Sequence, residues 1–261
     1  MNRLPVSVCL ISGAEAHRIG RTLAGVAGWA AEIIVVLNEE VTDGTDQVAV
    51  QYGAKVFREP WRGFTAQKNS AAAKATQPWL LNVDADEVPT PELVAEIQAL
   101  LGDPRRAELH AAYSMPRLSF YCGRWIHHGD WRPDRKVRLW QRGRAVWEGA
   151  GLHERLVVQG SVGRLRADLL HYSMESLNRQ ITKTMQYADA FAAHAAQTGQ
   201  TTGFLDLLVR PAWRFLRGYV FRAGFLDGWQ GFAIAWLTAF YTFLRYARVR
   251  EDRVPKPPAT V

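Results

Sequence analysis

Cysteine is nearly absent from this chain: Cys9 and Cys122 are the two in 261 residues. Two thiols cannot build a disulfide framework, and Cys9 sits in an apolar run, where a buried reduced thiol is the ordinary state. A reducing, cytoplasmic setting is the expectation. Apolar runs of membrane-spanning length are scarce too, since the longest charge-free stretch, 228–244, has 17 residues. That is the lower edge of the roughly 17–25 needed to cross a bilayer. The opening MNRLPVSVCLISG is broken by Pro5 and Ser7 and reads as a strand, not as a signal peptide. No internal repeat occurs, and the one biased tract is the proline-rich tail at 254–258, read as disordered. ISGAEAHR lacks the glycine-rich phosphate loop that a nucleotidyltransferase normally places after its first strand. No nucleic-acid-binding module is recognisable either, so nucleic acid is not an expected partner.

Charge is plentiful but unevenly spread. Residues 1–100 carry 8 Lys/Arg against 12 Asp/Glu, and residues 101–261 carry 24 against 13, so the two parts stand at −4 and +11. The second part is expected to meet something anionic.

Short apolar runs rich in β-branched residues occur at 4–11, 33–37, 54–57 and 79–83, separated by helical periodicity at about 16–28, 43–52 and 64–76. Strands alternating with helices predict an α/β, Rossmann-like fold with a mostly parallel sheet, whose ligands bind at the carboxyl ends of the strands. Thr90-Pro91-Glu92 predicts an N-cap, a first-turn proline and a helix over about 91–101. Leu177, Ile181, Met185, Ala188, Phe191, Ala192 and Ala195 predict one helical face over 175–196, stopped by Gly199.

The acids of LNVDADE, Asp84, Asp86 and Glu87, fall where the fourth strand ends. Carboxylates at such a place suit a hard divalent cation, Mg2+ or Mn2+, that completes its shell with water and phosphate oxygens. A solvated acidic loop capping the next helix is the competing reading. From 132 to 144, Arg132, Arg135, Lys136, Arg138, Arg142 and Arg144 alternate with Trp131, Trp140 and, beyond, Trp147. Arginine forks bind phosphates and tryptophan faces stack on sugars, although alternating charge also describes the wet face of a strand.

The strand VSVCLISGAE, the TDGT at 42–45, EPWRGFTAQKNSAAAKA at 59–75 and LNVDADE at 82–87 resemble, in order and spacing, the inverting glycosyltransferases of family 2 with a GT-A fold. Residues 129–156 resemble the branch of lipopolysaccharide-core glucosyltransferases. The resemblance implies a hexose, glucose in the first instance, moved from a UDP-sugar onto a lipid-linked envelope glycan. It implies that Ser12, Glu15, Asn38, Gln67, Lys68, Asn69 and Asp84 border the nucleotide-sugar, and that Asp86 holds the metal. Glu154 is the expected base, with Asp130 as the second candidate; Arg132, Arg135, Arg138 and His153 are expected on the acceptor or phosphate side. Two features depart from the family pattern: Ser12-Gly13-Ala14-Glu15 replaces Thr-x-Asn-Glu, and Asn38 replaces an Asp. A binding protein that lost turnover is therefore the rival reading, followed by a nucleotidyltransferase.

Residues 204–248 join aromatic runs to Arg210, Arg214, Arg217, Arg222, Arg245 and Arg248. They predict a C-terminal amphipathic helical appendage, with a domain over 1–200 and the appendage over 201–261. An anionic membrane surface is its expected partner, on the inner face of the cytoplasmic membrane; packing on the catalytic domain or in a homo-oligomer is the alternative.

Overall fold

Strands buried on both faces need apolar side chains at every position, which is why the first runs of this chain are continuous and not alternating. The computed structural model describes residues 3–149, 154–174 and 176–251. His153 and the proline-rich tail lie outside the described residues. In chain order the elements are β1 (Leu4–Ser12), α1 (Ile19–Ala27), β2 (Ala30–Asn38), α2 (Thr45–Gln51), β3 (Lys55–Glu59), α3 (Phe64–Ala73), β4 (Trp79–Asn82), β5 (Glu87–Pro89), α4 (Pro91–Leu101) and α5 (Pro104–Ala107). They continue as β6 (Ala112–Tyr121), β7 (Arg124–Ile126), β8 (Asp134–Gln141), β9 (Ala145–Glu148), β10 (Arg155–Val158), β11 (Val162–Arg164), β12 (Leu169–Met174), α6 (Leu177–Thr198), α7 (Phe204–Leu216) and α8 (Gly228–Glu251).

The main sheet runs β3-β2-β1-β4-β8-β6-β12-β5. Its first four strands are parallel, as the alternation of strands and helices predicts, and β8 then adds to β4 in the antiparallel sense. Alternate residues of β1 face opposite layers: Val6, Val8 and Leu10 pack with Ile19, Leu23, Leu93 and Ile97 of α1 and α4. Cys9 and Ile11 pack with Ala71 of α3 and Trp140. The chain climbs outward from β1 to β3 and then returns to the far side of β1 as β4. The ends of β1 and β4 therefore lie side by side, with Cys9 opposite Asn82. That reversal of strand order is where an open α/β sheet forms its crevice. The Thr90 hydroxyl accepts from the Leu93 amide at 3.1 Å, so the predicted cap starts α4.

Two compact units divide the chain: 1–118 with 134–171, and 119–133 with 172–261. Helix α6 thereby groups with α7 and α8, whereas a boundary at residue 200 would leave it with the sheet. Its alanines explain the grouping, because Ala192 and Ala195 pack with Val249 of α8, and Phe191 meets Tyr246 edge-on at 5.6 Å. The buried face of α6 also differs from the expected one at its start. Leu177, Ile181 and Met185 are exposed while Gln180 and Thr184 are buried, because the Gln180 side chain accepts from the buried Tyr121 hydroxyl. Gly199 ends the helix in the left-handed conformation, as predicted.

Within the second unit the start of α8 presses backbone to backbone on the turn before it. A Cβ at Gly231 would lie 1.8 Å from the Gly224 carbonyl oxygen, whereas one at Gly28 would meet nothing within 4 Å. Gly231→Ala is therefore expected to cost about 1–3 kcal/mol of stability, the usual penalty for overpacking, seen as a lowered thermal midpoint; Gly28→Ala is expected to leave the midpoint within experimental scatter.

Candidate active site

Asp84, Asp86 and Glu87 leave β4 together but part at once in direction. Glu87 begins β5 and turns inward, fully buried, where its carboxylate accepts from the Asp84 amide at 3.0 Å. Arg138, buried on the neighbouring β8, donates to Glu87 at 2.7 Å, to Asp84 at 2.6 Å and to the Asn82 side-chain oxygen at 2.7 Å. Arg117 adds a second cation to Glu87 at 3.1 Å. Three acids can leave one strand end because two of them close on the buried Arg138, with the half-buried Arg117 beside Glu87.

The consequences for proton affinity are opposite for the two aspartates. Burial alone would raise Asp84, but Arg138 and Lys68 outweigh it and hold its carboxyl far below the usual range. Asp86 is less well matched: burial, then the charges of Glu87 and Asp84, push it up to about 6 against the pull of Arg18. Arg18 stands 3.5 Å from it and is itself clasped by Glu15. His171, on β12, places Nε2 at 3.7 Å from the other Asp86 oxygen and is pushed down to about 3 by burial and then by Arg117, which keeps the ring neutral.

A cavity of about 200 Å³ opens beside this loop, lined by Ser12, Gly13, Glu15, Arg18, Trp61, Phe64, Lys68, Asp84, Asp86 and Glu154 among others. Its floor is the end of β1, and the TDGT turn braces the loop that follows: Thr45 Oγ1 accepts from the Glu15 amide at 2.9 Å and Asp43 from the Ala16 amide at 3.1 Å. Trp61 and Phe64 form an exposed wall, meeting edge to face at 4.9 Å. Lys68 projects from α3, buried, with its ammonium 4.5 Å from the Trp147 ring. That ammonium lies 3.5 Å from Asp84 and donates to Glu154 Oε1. Glu154 Oε2 is buried and has no hydrogen-bond partner among the described residues.

Of the expected site residues, Ser12, Glu15, Lys68, Asp84, Asp86 and Glu154 therefore meet at one cavity. Others have different work. Asn69 is clipped to the backbone of Trp147, donating to its carbonyl and accepting from its amide, each at 2.9 Å. Gln67 is buried and donates to the Pro60 carbonyl at 3.3 Å. The Asn38 oxygen accepts from the Glu40 amide at 3.4 Å, closing a turn. Arg138 is under the acidic loop and not at a phosphate, because burial requires it to match the charges of Asp84 and Glu87. Arg135 spends its guanidinium on the Ser114 and Leu165 carbonyls, at 3.0 and 2.6 Å. Trp140 and Trp147 are core residues and not stacking platforms. Arg132 and Asp130 belong to the second unit, where Arg214, Arg217 and Arg222 reach the Asp130 carboxylate at 3.4, 3.1 and 3.2 Å. Sequence reasoning missed His171, Arg18, Trp61 and Phe64. The aromatic pair stands inside the EPWRGFTAQKN stretch and was open to notice; His171 comes from a strand that crosses the sheet 85 positions after Asp86, and nothing local marks it.

No group of three or more His, Cys, Asp or Glu side chains forms a closed cation cage among the described residues. The donor set still fits a hard cation. The half-buried Asp86 carboxylate feels Glu87, Asp84 and Glu15 against one arginine, Arg18 at 3.5 Å. Magnesium and manganese take few protein ligands and fill the rest of the shell with water and phosphate oxygens.

Comparison with known proteins agrees with this geometry. The family model described as glycosyl transferase family 2 matches residues 7–144. An uncharacterized glycosyltransferase of Rickettsia felis is 30% identical over 262 residues, covering 95% of this chain and 90% of its own. The lipopolysaccharide core biosynthesis glycosyltransferase LpsC of Rhizobium meliloti is 29% identical over 268 residues, covering 97% of this chain and 95% of its own. Among solved structures, the mannosyltransferase PcManGT from Pyrobaculum calidifontis in complex with GDP-Man and Mn2+ has a TM-score of 0.53 at 16% identity, covering 97% of this chain and 89% of its own. S. aureus TarS 1-349 in complex with UDP-GlcNAc has a TM-score of 0.51 at 14% identity, covering 97% and 92%. The architecture is thus that of GT-A proteins.

Folded Asp86 titrates near 6 and an ordinary aspartate near 3.8, so between those values the folded chain holds the extra proton and stability falls as pH rises. Asp86→Asn removes that penalty. Above pH 6 it is expected to stabilise the metal-free protein by on the order of 2 kcal/mol, a gain that fades below about pH 4; thermal midpoints of both proteins across this range measure it.

Proposed function

Because the chain belongs to glycosyl transferase family 2, we propose that it is a metal-dependent, inverting hexosyltransferase that moves glucose from UDP-glucose onto a lipopolysaccharide core or a similar lipid-linked envelope glycan. The observation that carries this reading is the one cavity that Asp86, Lys68 and Glu154 line together. Asp86 would hold Mg2+ or Mn2+ there, with His171 a neutral donor alongside. A cation so placed would supply the charge that neutralises a departing diphosphate.

The chain's own residues supply the remaining parts. Ser12 and Glu15 border the nucleotide at the end of β1, and the exposed faces of Trp61 and Phe64 offer a stacking surface for its base or sugar. Asp84, locked by Arg138, presents a fixed carboxylate edge that accepts from ribose hydroxyls. Glu154 takes the proton of the acceptor hydroxyl, while Lys68 holds its carboxylate through Oε1. One base is enough for inversion, since attack occurs opposite the leaving group and no covalent sugar-enzyme intermediate forms. The acceptor resembles that of LpsC by name alone, and glucose follows the resemblance in residues 129–156. Such an acceptor places the work at the inner face of the cytoplasmic membrane.

Two substitutions separate the roles. Asp86→Ala is expected to abolish transfer in the presence of Mn2+ while circular dichroism stays native; full turnover by that variant would remove the metal role. Glu154→Gln is expected to lower kcat by about 100- to 10,000-fold with donor affinity unchanged. Release of UDP with and without acceptor, and calorimetric titration of the donor, read the two effects. A wild-type chain that binds UDP-sugars but releases no UDP with any envelope glycan would favour the inactive binding protein.

A further inference from the structure

Helix α7 has no buried residue along its thirteen, although it is strongly amphipathic. Leu205, Val209, Trp213, Leu216 and the following Val220, spaced four, four, three and four apart, are between 46% and 70% exposed. Helix α8 repeats the pattern on its free side: Trp229, Phe232, Trp236, Phe240 and Phe243 fall at helical spacing and are between 41% and 59% exposed. Its opposite side, with Ile234, Ala235, Ala239 and Tyr246, is buried. The two stripes join into one surface. Phe215 of α7 meets Phe232 and Trp236 of α8 at 5.7 and 6.2 Å, Trp213 meets Phe221 at 5.6 Å, and a trough of about 550 Å³ with apolar walls runs between the helices. A water-facing domain does not normally leave a continuous apolar patch of this extent uncovered.

Its charges indicate what covers it. From Phe204 to Arg250 the chain carries seven arginines against two aspartates. Asp227 is buried against the backbone amides of His127 and His128, and Asp206 is held by Arg210. Asp130, from the loop beneath, faces Arg214, Arg217 and Arg222 together, so three guanidinium groups, each about a third exposed, share one carboxylate. Two positive charges are left over at the edge of the apolar surface. A second copy of this chain fits poorly, because a two-fold contact would set the same arginines against themselves. A bilayer with anionic headgroups matches both features: acyl chains for the aromatic stripes, phosphates for the arginines. No helix among the described residues is long and apolar enough to cross a membrane, which leaves lying in its plane.

We infer that α7, the turn after it and the exposed side of α8 form an in-plane anchor that embeds in the headgroup layer of an anionic bilayer, with the trough between the helices receiving an acyl chain. This names the membrane contact of the proposed enzyme but depends on no catalytic step, so the two can fail separately.

The test is flotation of the full chain with vesicles of phosphatidylcholine alone and of phosphatidylcholine mixed with phosphatidylglycerol. The wild type is expected to float with the mixed vesicles, to bind the neutral ones at least about tenfold more weakly, and to be released by salt. The double variant Trp213→Ser/Trp236→Ser is expected to lose at least about tenfold in partitioning, the loss for two interfacial aromatic side chains, while its circular dichroism and donor binding stay as in the wild type. Wild-type protein that stays behind, equal binding to neutral vesicles, or a variant that floats as well as the wild type would overturn the anchor. So would an ultracentrifuge run in which the wild type is a dimer and the variant a monomer, since the face would then belong to a second copy.

Discussion

The buried ion cluster of Arg138 with Asp84 and Glu87 is the constraint from which the rest of the site follows. Three acids in four positions would repel one another at a strand end, and burying even one unpaired would cost several kcal/mol. Arg138 removes that cost for two of them, and Arg117 reinforces Glu87 from β6. The antiparallel addition of β8 to β4 is what carries Arg138 there, since Leu139, its neighbour in sequence, pairs with Leu81. The arginine therefore fixes the loop in place.

Its effect on the third acid is by exclusion. With Asp84 and Glu87 occupied, Asp86 is left half-buried among like charges, with Arg18 3.5 Å away and a neutral His171 at its side. Such a carboxylate is costly for the fold, and a divalent cation held there as proposed would relieve the repulsion from Glu87 and Asp84. The same division appears between Lys68 and Glu154: one Glu154 oxygen is held and the other is buried without a partner among the described residues. Stability and function thus pull on neighbouring atoms in opposite directions, a common arrangement where pKa values are shifted.

The second unit manages its charge differently. Asp130 is the hub for three arginines, and it orients them without neutralising them. Apolar residues at helical spacing gave no means of telling a core stripe from an exposed one, and both occur on the two sides of α8. On α6 the same ambiguity ran the other way: Leu177, Ile181 and Met185 have the spacing of a buried face, but a hydrogen-bonding need at Tyr121 turned Gln180 inward instead.

How much could be read before any coordinates is clear from particular residues. The strands β1 to β4, the helices between them and the Thr90 cap were legible, because periodicity and capping are local properties of ten or so neighbouring side chains. The place of the acids at 84 and 86, on the loop where β4 ends, was legible for the same reason, since a strand end and its loop are contiguous. Lys68 and Glu154 were legible only through a resemblance, as nothing in their own neighbourhoods says that they meet. What the chain alone determined was therefore an α/β sheet with an acidic strand end. Only the tertiary structure decided that Arg138 is a counter-charge and not a phosphate ligand, that Asn69 is a clip, and that His171 stands beside Asp86. Each of those roles is set by a partner dozens of residues away, and the energy of a charge or a hydrogen bond depends on what faces it across space, which sequence order does not record.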